Sequence, residues 1–384
     1  MLALLSSRTV RPIWLVVAAL ELGILLTIAA PANPDKPGRT GGIRTAAAQL
    51  RSSGPPIDLV QDYVGAREMA RGRDTYPMLT RAYARVGLTW PVQHRSTHPP
   101  TAFLLVLPVA WLSWKPAAAV WMVLMLAALA MSYWALGAAP GPAVALAPLT
   151  LLWPPGAWSM GQLTPIWLLG LALAWRLRNR PAPAGAAIAL ASLTKLLPAL
   201  CLLPFLLMRR WSVVRGFALV WVVALAALLV FEPHVIGRYL TILRTASREQ
   251  AGRGENSAML WAAAHNYGAA GVVVGAVLVA AVLVQTLRRV QRYDKLERLS
   301  WDGVGWAAVA LLPIAWIYSL LPLLPTITRL VRRGGLIAAS LSLVTFAIPF
   351  VVDPFGLPGG IRLAIATGAL GGALLVARAD DASQ

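Results

Sequence analysis

Two ionisable side chains set against apolar sequence, Asp58 and Lys195, are where chemistry could turn. A carboxylate can take the proton from a hydroxyl nucleophile. An ammonium group inside an apolar stretch is costly unless an anion or a carbonyl compensates it, and a lipid phosphate would do so. Lys195 has a second reading, in which it snorkels to ordinary headgroups. Asp58 has two readings as well. Asp is a favoured N-cap, and Gln61 three residues later would complete a capping box. A cap still leaves one carboxylate oxygen free, and a helix N-terminus attracts anions, which predicts a lowered pKa and an ionised Asp58 ready to accept a proton.

Around these two, His98, Gln162, Asn256, Trp316 and Tyr63 are the groups that could hold a phosphate or a sugar. Asn256 or Ser257 could equally cap a helix. His94 and His98 stand four apart, but they precede Pro99-Pro100 and belong to extended chain, so no metal site is expected, and no cofactor. Arg238, Arg244, Arg248 and Arg253 could bind an acidic headgroup or pair with Glu232, Glu249 and Glu255. The sequence leaves both open.

The elements that must position these residues are membrane helices. The 384 residues are 58% hydrophobic and 13% charged, which predicts an all-α integral membrane protein. The net charge is +19, yet the basic residues flank apolar segments instead of clustering, which orients helices against anionic lipid and excludes nucleic acid as a partner. Arg far outnumbers Lys, with only Lys36, Lys115, Lys195 and Lys295 present, and Ala and Gly abound; this points to a GC-rich bacterial genome. The single cysteine, Cys201, precludes an intramolecular disulfide and reads as a small core residue.

Basic flanks then set the topology. Arg8 and Arg11 precede a span at 11–30, whose length favours an uncleaved helix over a signal peptide and keeps the N-terminus cytoplasmic. Glu21 lies within it. Residues 31–98 form the first extracytoplasmic loop, and in it Leu59, Tyr63, Ala66 and Ala70 recur at helical spacing from Asp58, which predicts an interfacial amphipathic helix between Pro55-Pro56 and Gly72. Residues 100–114 return, 117–138 cross again, and the Arg176 to Arg180 cluster must be cytoplasmic. Of 142–158 and 162–178 only one can cross, so the first, broken by Pro148 and Pro154-Pro155, is expected to be re-entrant or interfacial. Residues 183–208 begin and end beside cytoplasmic arginines. Each half, about 12 residues and about 18 Å, falls short of the roughly 30 Å hydrocarbon core, so this is a hairpin tipped near Lys195. Residues 303–331 repeat the pattern, tipped by Pro313 to Tyr318. With 212–231 outward, a second extracytoplasmic loop at 232–265, and 267–287, 335–352 and 360–377 as further spans, the count is roughly 10–12 helices in a single polytopic domain covering 1–384. Both termini are cytoplasmic, and Asp58, His98, Gln162, Lys195, Asn256 and Trp316 share the opposite face.

Asp58-Leu-Val-Gln-Asp-Tyr63, Ala66-Arg67, Arg73-Asp-Thr-Tyr76 and His98-Pro-Pro100 running into Phe103 to Pro108 resemble the first outer loop of glycosyltransferase family 87. Gly161-Gln162-Leu163, the segment from Gly185 to Lys195-Leu-Leu-Pro198, and Glu255 to Trp261 resemble further elements of that family. Where relatives often carry a Trp followed by His residues, this chain has Trp316-Ile-Tyr318. The resemblance implies a GT-C type bundle in the bacterial plasma membrane that moves a hexose, mannose above all, from a polyprenyl-phosphate sugar donor to a hydroxyl of a lipid-linked glycan acceptor on the extracytoplasmic face. It further implies an inverting displacement with Asp58 as general base, while Lys195 and nearby donors steady the departing phosphate. From the residues alone, a lipid or solute transporter is the alternative, since broken helices and buried charge also mark transport sites. Related halves would distinguish it, and the sequence has none.

Overall fold

The computed structural model describes residues 57–88, 95–151, 153, 161–250, 259–293, 296–312, 315, 317–348 and 359–377. The first span expected at 11–30, and with it Glu21, lies outside them, as do Asn256 and Trp316. The described chain is an all-α membrane protein, its one extended contact a bridge between Met78 and Arg95. Among the described residues, three helices are long and apolar enough to cross a bilayer: α4 (Trp114–Ala135), α9 (Trp211–Phe231) and the Gly268–Tyr293 part of α11 (Met259–Tyr293). Each keeps an exposed apolar stripe, such as Leu219, Val222, Val223 and Val230 on α9, as a lipid-facing helix should.

The remaining elements are shorter. They are α1 (Ile57–Ala70), α2 (Leu79–Ala84), α3 (Pro100–Ala110), α5 (Pro140–Leu151), α6 (Thr164–Arg176), α7 (Pro181–Thr194), α8 (Leu203–Leu207), α10 (Val235–Gln250), α12 (Arg298–Ala310), α13 (Leu324–Arg333), α14 (Gly335–Ala347) and α15 (Gly359–Val376). Two 3-10 turns, Leu197–Leu202 and Ile317–Leu323, complete the set.

Both expected hairpins fold back on themselves. After α7, Lys195 takes an extended conformation, and the chain returns through the first 3-10 turn and α8. An Arg210 guanidinium nitrogen then donates to the Arg178 carbonyl at 3.2 Å, so the segment ends where it began. The second hairpin runs up α12 and down through the second 3-10 turn and α13, and Arg329 Nε meets Asp302 at 2.6 Å at its base. Prolines set both return paths: Pro198 and Pro204 in one, Pro322 and Pro325 in the other, each removing a backbone donor. Of the prolines expected to break 142–158, Pro148 lies within α5, and Pro154-Pro155 lie outside the described residues. Helix α5 is only 12 residues long, and Trp153 just beyond it stacks on Phe346 and donates to the Phe346 carbonyl at 2.9 Å.

Small residues let α6, α7 and α9 approach closely. A Cβ on Gly170 would stand 2.7 Å from the Ala187 carbonyl oxygen, and one on Gly185 would collide with the Val213 carbonyl. The buried apolar residues form two clusters. One gathers α1, α2, α3 and the start of α4; the other gathers α6, α7, α12, α13 and α15.

Candidate active site

Helix α1 is closed by a Schellman ending: Gly72 takes φ +64°, its N–H bonds Met69 O at 3.0 Å, and Arg73 N–H bonds Glu68 O at 2.9 Å. Its start places Asp58 inside the first turn, not before it. The helix is also buried on more of its circumference than the apolar spacing alone suggests, because Val60, Val64, Met69, Asp62 and Glu68 are all buried. The two acids are compensated. Glu68 is ringed by Arg73 and Arg85, each at 3.0 Å, and Asp62 Oδ1 lies 2.7 Å from His98 Nδ1.

Asp58 Oδ2 accepts a 3.1 Å hydrogen bond from the Tyr318 hydroxyl, and that hydroxyl accepts one of 2.9 Å from Gln162 Nε2. Tyr318 and Gln162 are buried, whereas Asp58 is partly exposed. Backbone geometry sets the position of the Gly-Gln pair. Gly161 adopts φ +67°, a left-handed turn that disfavours any side chain, and its carbonyl is pinned by Trp121 Nε1 at 3.0 Å, which fixes where Gln162 emerges. One residue beyond Tyr318, Ser319 Oγ stands 3.5 Å from Lys195 Nζ. Lys195 is partly exposed at the tip of the first hairpin, within electrostatic reach of Asp58. Thr101 ties the neighbouring helices together by donating to the Leu193 carbonyl at 2.8 Å.

The arrangement therefore unites Asp58, Gln162, Lys195 and His98. Tyr63 falls elsewhere. Five residues past Asp58, it points to the other side of α1, donates to the Leu112 carbonyl at 2.7 Å and accepts from Arg67, so it braces α1 against the end of α3. Tyr318 was visible in the sequence only as an aromatic at a proline-bounded hairpin tip. Ser319 carried no signal of its own.

The electrostatics correct one expectation. Protein atoms crowd Asp58, and this desolvation pushes its pKa up to about 6, Asp62 adding to the rise while His98, the Tyr318 hydroxyl and Lys195 oppose it. The expected lowering at a helix N-terminus is overturned because loss of water outweighs it. At neutral pH the group is still mainly ionised, and it is a stronger base than an ordinary carboxylate. For His98, burial pushes the imidazole down, but the charge and hydrogen bond of Asp62 more than offset this, and its pKa rises. The site thus holds an acid poised near neutrality, a phenol and amide that orient it, and cationic groups suited to an anion.

At its rim Arg238 bonds Asp74 at 2.9 Å and Glu232 at 2.6 Å, Arg95 bonds Asp74 at 3.1 Å, and Thr75 donates to Glu232. Arg238 is thereby a paired residue that clamps α10 to the segment after α1.

No curated protein and no solved structure matches the chain. A family model does, that of glycosyltransferase family 87, over residues 97–313. This stretch includes His98, Gln162 and Lys195, and it starts after Asp58. Covering more than half of the sequence, the match shows that the chain belongs to glycosyltransferase family 87 and is a membrane glycosyltransferase.

Proposed function

We propose that the protein transfers a hexose, mannose in the first instance, from a polyprenyl-phosphate donor to a hydroxyl of a lipid-linked glycan acceptor. What supports this reading is the hydrogen bond from Tyr318 to Asp58 beside the contact of Lys195 with Ser319, the next residue along the chain, which brings a carboxylate and an ammonium group close together. In the reaction the acceptor hydroxyl oxygen attacks the anomeric carbon from the face opposite the phosphate. Its proton passes to Asp58, the carbon to phosphate-oxygen bond breaks, and the electron pair leaves with the polyprenyl phosphate. Lys195 and the His98 imidazole stabilise the charge that gathers there. The displacement inverts the anomeric centre.

The chain works as one polytopic unit of GT-C type in a bacterial plasma membrane, with both termini cytoplasmic and residues 31–98 and 232–265 outside. The distribution of basic residues supports this orientation. Nucleotide sugars are cytoplasmic, so a site on the far side requires a donor already carried by lipid. Family membership favours transfer over the transporter alternative.

Purified protein in proteoliposomes with labelled polyprenyl-phosphate mannose tests the reading. Asp58→Asn is expected to lower transfer by about 10²–10⁴-fold, the usual contribution of a general base. Undiminished transfer would remove Asp58 from the role and make Asp62 the next residue to replace.

A further inference from the structure

The end of the bundle away from Asp58 carries a second feature. A groove of about 400 Å³ is lined by Ala281, Val284, Gln285, Arg288, Arg289, Arg292 and Tyr293, all on one face of α11. Its wall is built, not incidental. Gln285 Nε2 donates to the Leu375 carbonyl at 3.1 Å and an Arg289 guanidinium nitrogen to the Ala377 carbonyl at 3.1 Å, which fastens the last turn of α15 alongside. Arg288 and Arg292 are exposed, one turn apart. No acid is among the lining residues; of the charges acting on Arg289, Glu297 offsets one and Arg329 adds one back.

The floor says what the arginines face. Ala281 and Val284 continue a stripe through Val277 and Val273, of which the three valines are 44%, 62% and 60% exposed. An apolar stripe that runs into a basic groove at the end of a membrane helix matches a molecule with an acyl chain below an anionic head. We infer that this groove binds the headgroup of an anionic phospholipid, its acyl chain lying along the stripe. Neither Asp58 nor Lys195 takes part, so the inference stands apart from the catalytic proposal.

The full-length protein in detergent, titrated with phosphatidylglycerol or phosphatidylcholine and read by native mass spectrometry, tests it. Phosphatidylglycerol is expected to be retained and phosphatidylcholine lost. Replacing Arg288 and Arg292 together by Gln should weaken phosphatidylglycerol binding about 30-fold, taking about 1 kcal/mol for each arginine near an anionic surface. Arg180→Gln, an exposed arginine outside the groove, should leave it unchanged. Equal retention of the two lipids, full binding by the double variant, or an equal loss in Arg180→Gln would each overturn the assignment. So would displacement of the lipid by millimolar inorganic phosphate, which would make the groove a free-anion site. Both altered side chains are exposed, and an unchanged melting temperature in phosphatidylcholine shows that the double variant is folded.

Discussion

Tyr318 is the residue whose role is best separated from mere packing, because its hydroxyl gives a hydrogen to Asp58 and takes one from Gln162. A hydrogen bond to a carboxylate favours the charged form, so its loss must raise the Asp58 pKa beyond about 6. In Tyr318→Phe the acid limb of kcat/KM against pH should therefore move upward by up to about one unit, with little loss at high pH. In the unaltered protein, transfer should fall about tenfold between pH 7 and pH 5 as Asp58 takes up a proton. A limb that stays in place in the variant would separate Tyr318 from the base. At this scale the sequence was only partly legible. Asp58 and Lys195 stood out because a charge in apolar surroundings must be explained. The pairing of Asp62 with His98 did not, since spacing along α1 says nothing of what lies 36 residues on. The direction of the Asp58 shift was lost for the same reason: crowding comes from distant segments.

Among elements, the hairpins were readable because prolines, short apolar halves and flanking arginines are local signals. What they did not disclose is how closely α7 and α9 meet. Gly185 and Gly216 allow backbone to touch backbone near Val213 and Ala182. Gly185→Val should cost at least about 1–3 kcal/mol, seen as a lower melting temperature in detergent, since the colliding atom is a carbonyl and not a mobile side chain. An unchanged melting temperature would mean that the two helices can part there without penalty. The polar side expected for α1 was misjudged through periodicity too. Asp62 and Glu68 look solvent-bound by spacing, yet both are buried because His98 and a group of arginines are brought to them.

For the molecule as a whole, positions rather than identities decide the side on which transfer occurs. Arg73 follows α1 in the first expected outer loop, where it pairs with Glu68, and Arg180 caps the start of α7, at the end away from Lys195. With Cys201 fully buried, background labelling is low. In intact cells a membrane-impermeant maleimide should therefore label Arg73→Cys, and Arg180→Cys only after permeabilisation; the reverse pattern would turn the protein over in the membrane. The expected orientation rests on basic flanks, which are a local signal, whereas the division of the core into two clusters had none, because apolar residues carry no mark of which neighbours they will choose. That division reaches into thermodynamics. Leu59, next to Asp58, belongs to one cluster, and Ala191 and Cys201, on either side of Lys195, belong to the other. A phosphate-bearing donor that touches both would act as a rivet between the two clusters. Scanning calorimetry should then show a melting temperature that rises as polyprenyl-phosphate sugar is added, and Lys195→Met should weaken that rise.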